Sequence, residues 1–247
     1  IGNGGGIREK HTIAPNENGL KGWQSIYNRN IGEGTIAPLF SDDLHGASNY
    51  RRMLVNEHFW YGLLSTLNYR PNRYWSISGG VDLRSYKGTH YEKVYDLLGA
   101  DYVAPDHLVY EGVDWDEPNP LSDQMLFEGD KNNYHTDGLV RWGGLFFQTE
   151  YKYNRISSFI NLTGALSSYK QINYFYGINP VTARKETDWN NFPGFTVKGG
   201  LNYNLTSRMN AFVNLGYLMK APRFNNVYDY DNTKFLNIKS EYVKAIE

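Results

Sequence analysis

The sequence predicts an all-β chain folded as an antiparallel up-and-down transmembrane β-barrel with long extracellular loops. Three observations lead there. Apolar and polar residues alternate along extended stretches, as on the two faces of a strand. Tight turns alternate with long connections, and aromatic residues gather at the ends of the alternating stretches. Composition agrees: aromatics make up 16% of the 247 residues, with Tyr 21 and Trp 6, and such side chains favour pleated surfaces.

Residues 1–56 are the least regular part and read as a loop-rich segment of the barrel domain, with one short helical stretch near Ala47 to Asn56. The run Gly4, Gly5 and Gly6 lacks the Lys and Ser/Thr of a phosphate-cradling loop, so it reads as a flexible loop. Residues 57–247 read as barrel strands and their extracellular loops. Phe59, Tyr61, Leu63, Leu67 and Tyr69 share one face, against Trp60, Gly62, Leu64, Thr66 and Asn68. Pro71 and Asn72 then reverse the chain within 70–73. The next strand sets Trp75, Ile77, Val81 and Leu83 against Ser76, Ser78, Asp82 and Arg84.

From about Lys87 to Asp137 no clear period is present, a length far beyond an ordinary connection. A further strand opposes Leu145, Phe147, Tyr151 and Tyr153 to Phe146, Gln148, Glu150 and Lys152. After a turn at Asn154 and Arg155, Ile156, Ile160, Leu162 and Leu166 share a parity, although Phe159 and Ala165 interrupt the pattern. A loop over 170–193 leads into a hairpin. Its arms place Val197, Gly199, Leu201 and Tyr203 beside Val213, Leu215 and Tyr217, with a turn at Leu205 to Arg208. A last loop leads to EYVKAIE, the start of one more strand.

Alternate connections of an up-and-down sheet lie at opposite ends. One end is therefore trimmed and the other elaborated, as in outer-membrane barrels with short periplasmic turns and long extracellular loops. Two rivals share the alternation: a small complete outer-membrane adhesin, and a soluble β-sandwich carbohydrate-binding module. Against the sandwich stand the strand lengths and the aromatic residues at strand ends, Phe59 to Tyr61 and Tyr69, Trp142, Tyr151 and Tyr153, Tyr203 and Tyr217, which resemble two interfacial girdles. The apolar parity is nearly free of charge, as the cost of about 2–4 kcal/mol for a cation at mid-bilayer demands.

Chemistry narrows the function further. The formal net charge is -1, which gives no basic footprint and excludes nucleic acid as a partner. There is no cysteine, and no apolar run of membrane-helix length. No HExxH or GxSxG constellation occurs, so the chain reads as a non-enzyme without cofactor, metal or catalytic residues. Asp114, Asp116, Glu117 and Asp123 lack the spacing of a calcium loop and read as a solvated acidic segment. The candidate ligand-binding residues are loop aromatics, Trp115, Tyr174, Tyr176 and Trp189, whose faces stack on sugars or planar ligands.

The stretch NEHFWYGLLSTLNYRPNRYWSISGGVDLRSYKGTHYEKVYDLLGADY resembles a barrel segment of TonB-dependent outer-membrane receptors of the Bacteroides type. So does GGLNYNLTSRMNAFVNLGYLMKAPRFNNVYDYDN, in which strand, APxFNNV turn and acidic-aromatic tail occur together. The resemblance implies a barrel of about 22 strands, plugged by an N-terminal domain, in the cell outer membrane. It implies import of a scarce small solute (an iron chelate, glycan, peptide or vitamin) driven by TonB through the plug. This chain lacks a plug domain and enough strands to close such a barrel, and is expected to be a fragment of one.

Overall fold

The structure, a computed structural model, describes every residue except Ile1, Ile13, His107, 176–183 and 230–237. Among the described residues nine strands form: β1 (Gly2–Glu9), β2 (Arg51–Asn72), β3 (Trp75–Asp96), β4 (Lys131–Tyr153), β5 (Ile156–Asn173), β6 (Lys185–Glu186), β7 (Asn190–Asn204), β8 (Asn210–Lys220) and β9 (Glu241–Ile246). The helix α1 spans Trp23–Asn30. All nine strands belong to one sheet, ordered β1-β2-β3-β4-β5-β7-β8-β9, with β6 paired to β5. The sheet is antiparallel, up-and-down and open, with β1 and β9 at its edges. Among the described residues no helix is long and apolar enough to cross a membrane, which says nothing of strands.

Two of the three tight turns, at 154–155 and 205–208, fall where the sequence places them; the first lies at Arg73 and Tyr74, because β2 runs on through Pro71 to Asn72, and a short polar side chain marks each turn. Asn72 Oδ1 accepts the backbone N–H groups of Tyr74 at 2.9 Å and Trp75 at 3.2 Å. Asn154 holds φ +50°, a left-handed conformation that Asn tolerates better than most residues. Thr206 Oγ1 accepts from the N–H groups of Arg208 and Met209.

Elsewhere the strands run further than their apolar pattern. Residues 51–56 belong to β2 rather than to a helix, and the helix lies earlier, at Trp23–Asn30. β3 continues to Asp96 and β4 starts at Lys131, so their connection shrinks to 97–130. These extensions, KGTHYEKVYD and KNNYHTD, have no apolar face. Their conformation is set by the backbone ladder of the neighbouring strand, which a hydrophobic period cannot report.

By contact density the chain divides into two compact units, 1–58 with 88–137 and 173–185, and 59–87 with 138–172 and 186–247. The first unit holds two buried clusters, Tyr50, Val94, Leu97, Ala100 and Val103, and Phe40, Tyr102 and Leu121. Asn30, the last residue of α1 and fully buried, ties the unit's loops together. Its Nδ2 donates to the carbonyls of Asn49, Leu97 and Leu98, while its Oδ1 accepts from the backbone and hydroxyl of Ser48. Every polar atom of that side chain is thereby satisfied, the condition on which burying an amide depends.

In the second unit the register sets out the two faces of the sheet. Leu162, Val197 and Tyr217 lie side by side, followed by Ile160, Gly199 and Leu215, then Leu201 and Val213. These side chains remain open: Leu215 is 56% exposed and Leu201 49%. The unit's buried cluster, Tyr169, Phe192, Val227 and Tyr228, lies elsewhere. Phe192 shares the parity of Thr196 and Lys198, opposite to the apolar face. Tyr228 closes that cluster by donating to the Tyr169 carbonyl at 2.7 Å. The register also brings Lys244 to the apolar face, beside Tyr217, where a long aliphatic stem lets the ammonium reach water.

Trp142 departs from the girdle expected of it. It lies against the Arg84 guanidinium, 5.1 Å from ring to cation, because its even position alternates with Leu145 and Phe147 and so falls on the charged parity of β4.

Candidate functional site

The connection 97–130 carries Trp115. Its ring is 54% exposed and stacks on Tyr110, 57% exposed, with centroids 6.0 Å apart and planes 26° from parallel. One face of each ring backs the other, so the pair is a braced platform with free outer faces. Their chain neighbours Val109, Glu111 and Asp114, with Glu117, Asn119 and Asp123, line a cleft of about 560 Å³. Among the described residues no group of His, Asp and Glu is arranged to hold a metal ion.

Tyr174 has a different setting, in a cluster on β3, β4 and the residues that follow β5. Its ring stacks on His135 at 4.0 Å and 17°, and its hydroxyl donates to Asp137 Oδ2 at 2.8 Å. Thr89 donates to the other carboxylate oxygen at 2.6 Å, and Asp137 is 2% exposed. Lys131 Nζ lies 3.1 Å from His135 Nε2 and 4.5 Å over the Tyr91 ring. One face of Tyr174 is therefore occupied, and the residue anchors the segment after β5 to β4.

Trp189 belongs to the second unit, where its ring covers the Arg141 guanidinium at 4.3 Å. Tyr176 lies outside the described residues. Each described one of the sequence-predicted aromatics has a partner of its own: Trp115 pairs with Tyr110, Tyr174 with His135, and Trp189 with Arg141. The residues missed are His135, Asp137, Thr89 and Lys131. The spacing of His135 and Asp137, two apart and so on one face of a strand, was the available signal. It is readable only once 131–137 is known to be a strand.

On the other parity of β3, His90 sits edge-on to His58 with centroids 5.6 Å apart, and its Nδ1–H donates to Asn56 Oδ1 at 2.5 Å. Burial lowers the pKa of His90 below its ordinary 6.5, the His58 charge lowers it further, and Asp137 opposes both. Below pH 6.5 the unfolded chain therefore binds this proton before the folded one does. Stability falls as pH drops from 6.5 to the lower folded value, then levels off. Limited proteolysis of the first unit is expected to accelerate across that window, and His90→Gln to flatten the profile. An unchanged slope in the variant would refute the assignment.

Compared with known proteins, the chain matches no family model, no curated protein and no solved structure, so the functional reading rests on its own residues and geometry.

Proposed function

We propose that the chain is part of the β-barrel of a TonB-dependent outer-membrane receptor, which binds a scarce solute and imports it across the outer membrane. One observation carries this reading: the exposed apolar face of the second unit is bounded along the strands by aromatic side chains. Toward the tight turns Tyr74 meets Tyr153 at 5.1 Å and Trp75 meets Tyr151 at 4.8 Å. Toward the other end Tyr217 meets Phe195 at 5.6 Å and Tyr242 at 6.1 Å.

The spacing fits a bilayer. Eight residues separate Tyr61 from Tyr69 and Phe195 from Tyr203, about 27 Å along a strand rising ~3.4 Å per residue. A tilt of about 40° reduces that to roughly 21 Å, near the ~25 Å apolar band of outer-membrane barrels. In water a face of this size would drive association. Lipid covers it, and a closed barrel satisfies the strand edges.

The receptor and TonB parts of the proposal rest on the resemblance of 56–102 and 199–232 to that family. In this reading the scaffold is lipid-embedded, the long connections face outward, and the solute is an iron chelate, glycan, peptide or vitamin. The chain itself performs no catalysis.

Cells carrying the intact gene are expected to yield the protein in the outer-membrane fraction. Protease added outside should cut within 97–130 and 221–240 and spare the turns at Arg73, Asn154 and Ser207. Deleting the gene should abolish growth on one nutrient of a panel of such solutes, as deleting TonB does. Recovery in the soluble fraction, or cutting at the tight turns of whole cells, overturns the reading.

A further inference from the structure

The platform of Tyr110 and Trp115 has an unusual electrostatic setting. Residues 108–123 contain Glu111, Asp114, Asp116, Glu117 and Asp123 and no Lys or Arg. The acids that flank this stretch have structural partners. Asp101 accepts the His45 N–H, Asp106 pairs with Lys10, Glu128 accepts the Leu97 N–H and Asp130 accepts the Phe127 N–H. None of the five is in an ion pair with a described residue. Their negative field is left uncompensated beside an exposed aromatic face. The buried Oδ1 of Asn119, on the wall of the same cleft, has no hydrogen-bond donor.

Asp114 Oδ1 accepts the Asp116 N–H, but a backbone amide cancels no charge, and carboxylates without a cation next to an electron-rich ring select a ligand that brings both donors and positive charge. A guanidinium does so best. It is planar, stacks on an indole and offers paired N–H groups to a carboxylate. A neutral sugar can donate hydroxyls to carboxylates, but it would leave the negative charge of the five uncompensated.

We propose that the tip of the β3–β4 connection is a docking site for an arginine-bearing peptide, with a guanidinium stacked on Trp115 and paired to the surrounding carboxylates. This deepens the receptor reading, on which it rests, by assigning the solute to the cationic peptides.

The test is a titration of the full purified chain with an arginine hexapeptide, a glutamate hexapeptide and a neutral oligosaccharide at physiological ionic strength. Only the arginine peptide is expected to bind. Trp115→Ala should weaken it about tenfold, and Trp115→Phe should restore most of the loss. Asp114→Asn, Asp116→Asn and Glu117→Gln together should weaken it at least as much, with a flatter salt dependence.

No binding, preference for the oligosaccharide, or equal affinity in Trp115→Ala would overturn the proposal, the last by reducing it to diffuse charge attraction. The two readings fail separately. An outer-membrane protein that ignores the arginine peptide refutes this inference alone, whereas a soluble protein that binds it refutes the transporter alone.

Discussion

Leu215→Arg is expected, on the membrane reading proposed above, to destabilise the assembled protein by about 2–4 kcal/mol, while Asn214→Arg, one residue away, leaves assembly near that of the parent. Leu215 lies in the row of Ile160 and Gly199, midway between the aromatic rows that contain Phe195 and Tyr203. A guanidinium there has the longest path to either interface. Asn214 points to the other parity, where it donates to Glu247 at 3.2 Å and shares a cleft with Glu150 and Asn202, a polar neighbourhood that admits a charge. Refolding yield into lipid vesicles, followed by the gel-mobility shift of heat-sensitive barrels, separates the two. Equal yields would mean that the apolar face does not meet lipid.

Glu92→Leu is expected to cost about 3–5 kcal/mol in the first unit, because it leaves a cation without its buried partner. The Glu92 side chain is fully buried. It accepts from Arg52 Nη1 at 2.7 Å, Asn133 Nδ2 at 3.1 Å and the Tyr50 hydroxyl at 3.3 Å, and lies 3.8 Å from Lys10 Nζ. The same carboxylate and the burial of Tyr50 hold that phenol well above its ordinary pKa, burial being the larger cause. Replacing Arg52 by Met in the same chain should recover part of the loss, since removing both members of a buried pair spares the orphaned charge. Protease resistance of the first unit in the two variants measures this, and a Glu92→Leu chain as resistant as the parent would show that the pair contributes nothing.

The candidate site was only partly legible in the sequence. Aromatics in long polar connections are readable as candidates from composition alone, and Trp115 meets that description with an exposed, braced ring. Tyr174 and Trp189 met it equally well as letters. Their partners, His135 and Arg141, stand 39 and 48 positions earlier in the chain, and no local pattern links residues so far apart.

The sequence by itself determined the all-β class, the three tight turns and which side chains of the second unit share the apolar face. All of these follow from period two and from turn residues that act on their own backbone. Only the tertiary structure decided where the polar strands β3 and β4 end, which carboxylates are paired and which are not, and which aromatic faces stay open. The reason is physical. Hydrophobic alternation reports a strand only where one face leaves water, whereas the polar extensions are held by backbone hydrogen bonds and by ion pairs between distant residues, whose geometry arises only after the strands have paired.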